Sequence, residues 1–127
     1  MIDPVRDIVI DVESFYLPEA SDPAQQRFVF GYRIAIRNYS DYSVQLLARH
    51  WRISQGSGEV LEVRGEGVVG RQPMIAPGLP FNYASRAVID SAVGVMEGSY
   101  TFMAPALGQT FDVPIAPFRL AFGLHLH

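Results

Sequence analysis

The sequence predicts an all-β fold: an immunoglobulin-like or fibronectin-III-like β-sandwich of about seven to eight antiparallel strands in two sheets. Three observations carry this expectation. Nine prolines and eleven glycines cut the chain into short runs. Those runs alternate apolar and polar residues with period two, which marks half-buried strands. Trp51 lies on the third run, and Tyr100 stands two residues before the bulky Phe102. Immunoglobulin-type domains place a buried tryptophan on strand C and a tyrosine near the start of strand F in this way. An open barrel is the remaining alternative.

The first run is Arg6 to Leu17, with Ile8, Ile10 and Val12 on one face and Asp7, Asp11 and Glu13 on the other. Two prolines with Ser21 and Asp22 then make a loop. The second run, Arg27 to Tyr39, sets Phe28, Phe30, Tyr32, Ile34 and Ile36 against Arg33 and Arg37, as a central strand would. Asn38 to Asp41 turns the chain. The third run, Val44 to Ser54, places Leu47, Trp51 and Ile53 on one parity, interrupted by Arg49.

Gln55-Gly56-Ser57-Gly58 reads as a hairpin turn into a short charged strand, Glu59 to Arg64, suited to an edge. Residues 65 to 78 read mostly as loop, and Leu79 to Ile89 as a strand. Val95 to Met103 follows, with Met96, Gly98, Tyr100 and Phe102 on one face. The last run is Thr110 to Ala121. Phe111, Val113 and Ile115 change parity to Phe118 and Leu120, which predicts a bulge near Ala116-Pro117. Pro114 cannot donate to a ladder, so this strand belongs at an edge or an irregular position. Trp51 and Tyr100 are the expected anchors, with the Tyr100 hydroxyl bonded to a nearby loop backbone.

A chain of 127 residues suits one domain, with a core over about residues 5 to 122 and flexible ends. Cysteine is absent, which excludes disulfides and thiolate chemistry and agrees with a reducing cytoplasm. The first residues lack the basic start and apolar block of a signal peptide, and no apolar run has the length of a membrane span. A soluble, cytoplasmic protein is expected. All ten basic residues are arginine, and the net charge is −3. Genome composition explains an arginine-only chain; recognition of phosphate or carboxylate by the planar guanidinium is the sharper reading. An acidic chain is poorly suited to nucleic acid.

Several segments, taken in order, match a known family. They are Ser21-Asp22-Pro23, Leu46-Leu47-Ala48-Arg49-His50-Trp51, Val63 to Gly70, Gln72-Pro73, Pro77-Gly78 with Phe81 and Tyr83, Gly94 to Tyr100, and Pro117-Phe118-Arg119-Leu120. On these the chain resembles the bacterial ApaG proteins over nearly its whole length. It departs from their usual pattern at Ala48, Arg71 and Arg86. The resemblance implies a fibronectin-III-like sandwich. It also implies an association by gene neighbourhood with a diadenosine tetraphosphate hydrolase, and one with cobalt and magnesium resistance or efflux. Similar domains appended to eukaryotic F-box and polymerase-interacting proteins imply a protein-binding module.

Gly65-Glu66-Gly67-Val68-Val69-Gly70 fits G-x-G-x-x-G, but Pro73 and Pro77 follow where a dinucleotide fold needs a helix. Glycines permitting positive φ in a loop are the plainer reading. A narrower possibility is that free loop amides, flanked by Arg64 and Arg71, hold a phosphate group, with Arg64, Gly65, Gly67, Gly70 and Arg71 as the candidates. His50 should face away from Arg49 and Trp51 in a structural or surface role. His125 and His127 are weak terminal metal ligands. No catalytic residue, dedicated metal site or cofactor is expected. The sequence therefore predicts a noncatalytic interaction module with an unknown protein partner; the alternative is a nucleotide-polyphosphate binder at residues 64 to 71. No nucleic-acid or membrane partner is expected.

Overall fold

The computed structural model describes residues 1–122, so His125 and His127 lie outside the described residues. Eight strands follow one another: β1 (Ile8–Tyr16), β2 (Phe28–Asn38), β3 (Val44–Gln55), β4 (Val60–Glu66), β5 (Met74–Ile75), β6 (Phe81–Ile89), β7 (Val93–Ala104) and β8 (Gln109–Ala121). Two 3₁₀ turns, Pro18–Ala20 and Pro23–Gln25, occupy the loop between β1 and β2. Every strand pairing is antiparallel. One sheet has the order β1-β2-β6; the other has the order β4-β3-β7-β8, with β5 paired to the start of β3. The expected sandwich is present. In a constant-type immunoglobulin the fourth strand joins the sheet of the first, second and fifth. Here β4 stays beside β3, so three strands cover four long ones and the two-residue β5.

Alternation explains the core. Phe28, Phe30, Tyr32, Ile34 and Ile36 of β2 are buried, whereas Arg33 and Arg37 are exposed. Met96, Tyr100 and Phe102 of β7 meet them from the other sheet. Trp51 sits between the layers with Tyr32, Tyr100 and Phe118 edge-on at ring centroid distances of 5.7, 6.1 and 5.9 Å. Such geometry sets ring edges against π faces and adds to the stabilisation from burial. The core also starts earlier than expected. Ile2 is buried, and the Gln109 side chain accepts from its N–H at 2.9 Å and donates to its carbonyl at 3.0 Å.

Two bulges set the facing of the long strands. On β8, Phe118 pairs with Met96 but Ile115 pairs with Gly98, so the extra residue falls at Ala116-Pro117, as predicted. Pro114 lies on the same strand, at a sheet edge. The second bulge was not anticipated. On β3, Leu46 pairs with Phe102 and Ala48 with Thr101, which leaves Leu47 as the extra residue. Leu46 is fully buried and Leu47 only half-buried, so the expected inward position of Leu47 is corrected. Beyond the bulge the parity is reversed: Arg49, Trp51 and Ile53 face inward, and His50 and Arg52 face outward.

The two flanks differ. On one, β1 and β8 close together: Ser14 Oγ donates to the Arg119 carbonyl at 2.8 Å, and Tyr16 packs on Phe122 with centroids 4.4 Å apart. On the other, β4 extends past the cover of the three-stranded sheet. Leu61 and Val63, on its inward side, remain 37% and 39% exposed.

Gly98 lies in the tightest strand contact, where an added Cβ would stand 2.0 Å from the His50 carbonyl oxygen. Gly98→Ala should therefore cost about 3 kcal/mol, since the ladder backbone has to move. Gly70→Ala meets no atom and should cost only the left-handed conformation, about 1–2 kcal/mol. Urea midpoints for the two variants test this ranking.

Candidate functional site

The inward turn of β3 builds a polar slot at the open flank. After the bulge, Arg49 faces the interior opposite Tyr100, with Gly65 of β4 on its other side. Gly65 leaves room for it: a Cβ there would stand 2.8 Å from the Arg49 guanidinium, which would have to shift. The guanidinium donates to the carbonyls of Glu66 at 3.1 Å and Gly67 at 3.0 Å. Among the described residues no acidic side chain forms an ion pair with it. From the opposite sheet, Tyr32, Tyr83 and Ser85 share the inward face, because Tyr32 pairs with Ser85 and Ile34 with Tyr83. Together with Trp51 and the turn Val68-Val69-Gly70, these groups line a slot of about 160 Å³.

The hydroxyls are coupled across the sandwich. Tyr83 and Tyr100 share a hydroxyl–hydroxyl hydrogen bond between the sheets. This corrects the expected Tyr100 bond to a loop backbone: its ring lies in mid-strand and crosses the core instead of reaching an end. Burial pushes the pKa values of Tyr100 and Tyr83 well above the ordinary phenol range. For Tyr32, burial also raises the pKa, against the opposing effects of the Ser85 side chain and the Arg49 charge. All three phenols are therefore neutral, and Arg49 is the one charged side chain lining the slot.

The glycine segment folds into a closed turn. Val68 N–H donates to the Arg71 carbonyl at 2.8 Å, and Arg71 N–H returns to the Val68 carbonyl at 3.0 Å. Val69 and Gly70, the two central residues, have φ of 43° and 79°, the signs a type I′ turn requires. Gly67 has φ of 62°, and its N–H donates to the Leu47 carbonyl at 2.8 Å. Three of the amides that a phosphate would need are thus bonded within the chain.

The five phosphate candidates do not converge. Gly65 and Gly67 lie against Arg49, and Gly70 lies at the turn tip. Arg64 is on the outer face of β4, 3.6 Å from Glu62. Arg71 extends over the Phe81 ring at 5.2 Å. The arginine that faces the loop is Arg49, which the sequence reading treated as an interruption of an apolar parity. That interruption was the available signal, and the unrecognised bulge hid its meaning. His50 faces outward as expected, with Nε2 buried and 3.6 Å from Glu62. Among the described residues, no group of three or more His, Cys, Asp or Glu side chains is placed to hold a metal ion. None of the described helices is long and apolar enough to cross a membrane.

Comparison with known proteins places the chain in a family. Residues 18–104 match the family model described as the ApaG domain. The chain is 56% identical over 117 residues to Protein ApaG of Chromohalobacter salexigens, covering 92% of each chain. It is 50% identical over 127 residues to Protein ApaG of Azotobacter vinelandii, covering 100% of each. The crystal structure of a Bordetella pertussis protein described as ApaA superimposes with a TM-score of 0.89 at 43% identity, covering 96% of this chain and 100% of that one. The chain belongs to the ApaG domain family.

Two outcomes follow from the slot. The phenols of Tyr32, Tyr83 and Tyr100 hold their protons more tightly folded than unfolded. Their contribution to stability is intact below about pH 10, the unfolded value, and is lost as pH rises above it. An alkaline titration should show a late class of at least three tyrosinates that ionise only as near-ultraviolet dichroism collapses. Ionisation of every tyrosine before that collapse would contradict the burial. Arg49→Ala leaves two carbonyls without their donor and should cost about 1–3 kcal/mol. Arg64→Ala removes only an exposed ion pair and should cost under about 1 kcal/mol; thermal melts separate the two.

Proposed function

We propose that this ApaG-domain chain is a noncatalytic interaction module that engages an acidic segment of a partner protein at its open flank. The observation that carries this reading is Arg49: a half-buried guanidinium with no acidic partner among the described residues, opening into a slot of neutral hydroxyls. A carboxylate entering the slot would complete the guanidinium's planar donor set, and a charge-assisted bond of this kind is among the stronger ones. The turn beside it supports the same reading. Val69 is β-branched, sits at positive φ and is 54% exposed, so an apolar side chain is presented at the slot mouth at a conformational cost.

Nucleotide phosphate at residues 64 to 71 is the second reading. Arg49 would serve a phosphate as well as a carboxylate, but the amides of Gly67, Val68 and Arg71 are bonded within the chain, which takes them from the cradle that this reading relied on. In the favoured reading the family's association with cobalt and magnesium belongs to the partner, and the cysteine-free composition fits a cytoplasmic setting.

The test uses wild-type chain, Arg49→Gln and Val69→Gly as parallel baits, each checked for its fold by near-ultraviolet dichroism. Val69→Gly relieves the left-handed valine and should be at least as stable as wild type. A defined partner should be retained by wild type and lost by both variants, and its contact segment should carry Asp or Glu. Equal retention by all three baits overturns the reading. So does a diadenosine polyphosphate titration that shifts the amides of Val68 to Gly70 when no protein is retained.

A further inference from the structure

The exposed edge of β4 carries a pattern independent of the slot. At one end of the β3–β4 ladder, Gln55 N–H donates to the Glu59 carbonyl at 2.9 Å; at the other, Gly67 N–H donates to the Leu47 carbonyl at 2.8 Å. Hydrogen-bonded pairs alternate in an antiparallel ladder. Counting inward from both ends gives the same phase: Leu61, Val63 and Gly65 spend their main-chain groups on β3. The N–H and C=O groups of Glu62 and Arg64 therefore point away from β3, along an edge that no strand among the described residues covers. The segment contains no proline to block pairing, and its outward charges, Glu62 and Arg64, are of opposite sign.

We infer that β4 pairs antiparallel with β4 of a second copy of this chain, about a two-fold axis through Val63. In that register Val63 faces the second copy's Val63 in a pair without mutual hydrogen bonds, where side chains approach most closely. On either side Glu62 meets the second copy's Arg64, and the outward N–H and C=O groups of that pair fall in bonding position. The charges match in both directions, because one strand supplies both signs at positions related by the axis. On the inner face Leu61 lies opposite Gly65, which has no side chain to clash. The half-exposed Leu61 and Val63 are thereby covered, the burial that the three-stranded sheet leaves undone. Other registers bring Glu62 opposite Glu62 or leave the charges unmatched.

The chain has no cysteine, so single cysteines report the register directly. Paired Val63 Cα atoms would lie about 4.5 Å apart, inside the roughly 7 Å limit for a disulfide. Paired Glu62 Cα atoms would lie about 9 Å apart, from the strand spacing and the rise of two residues. Under mild oxidation Val63→Cys should form a covalent dimer at least about tenfold faster than Glu62→Cys. Sedimentation of wild type should show a concentration-dependent dimer. Glu62→Arg should weaken it at least tenfold, and Glu62→Arg with Arg64→Glu should restore it. A wild-type monomer at millimolar concentration, or equal cross-linking at both cysteines, overturns the inference. Since Val69→Gly changes only the turn beyond the end of β4, its dimer should persist even where partner retention is lost, which separates this inference from the slot reading.

Discussion

The arrangement of this molecule turns on one extra residue in β3. An unbroken strand from Val44 to Gln55 would keep one parity inward throughout, and one end or the other would turn its apolar residues to solvent. Inserting Leu47 lets Val44 and Leu46 face the core at one end while Trp51 and Ile53 face it at the other. The inserted residue also anchors the chain that follows β4. Leu47 C=O accepts from Gly67 N–H at 2.8 Å and from the Gln72 side chain at 2.9 Å. The glycine segment is thus anchored to the bulge, and the chain is brought back to pair β5 beside Val44 and Gln45. Arg49 faces inward for the same reason. Core packing, loop position and the charge in the slot share this single cause.

Much of the fold was legible because it rests on strict alternation. β2 buries one parity and exposes arginines on the other, so its central place could be read directly. The bulge at Ala116-Pro117 was legible because the residues on either side of it are large and apolar on opposite parities. The bulge at Leu47 obeys the same rule but was silent. Leu46 and Leu47 are both apolar, so the strand reads plausibly in either register, and the choice fell on the wrong leucine. Arg49 then looked like an exception where it was in fact the first inward residue after the shift. The slot was illegible for a related reason: Tyr32, Tyr83 and Ser85 come from two strands whose pairing register no single sequence states.

The glycine segment shows why a local motif needs its surroundings. Its spacing invites a phosphate reading because glycines let a backbone approach a ligand closely. In the folded chain they serve two other approaches: Gly65 admits the Arg49 guanidinium, and Gly67 lies against the Arg71 carbonyl, 2.0 Å from where its Cβ would stand. The amides of Val68 and Arg71 are bonded across the turn. The close approach that the glycines permit is an internal one, and the anion-recognising group nearby is a side chain from a neighbouring strand.

The unequal sheets connect these features to function. With three strands over four, one flank closes through Ser14, Tyr16 and Phe122 while β4 stands outside the cover. Leu61 and Val63 there stay partly exposed, a cost in apolar burial, and Val69 at positive φ adds a conformational cost on the same side. Both costs fall on the flank that holds Arg49, which has no acidic partner among the described residues. A sandwich whose flanks served packing alone would have no reason to concentrate exposure, strain and an uncompensated charge on one side. In the proposed reading, contacts made from outside the chain compensate this asymmetry.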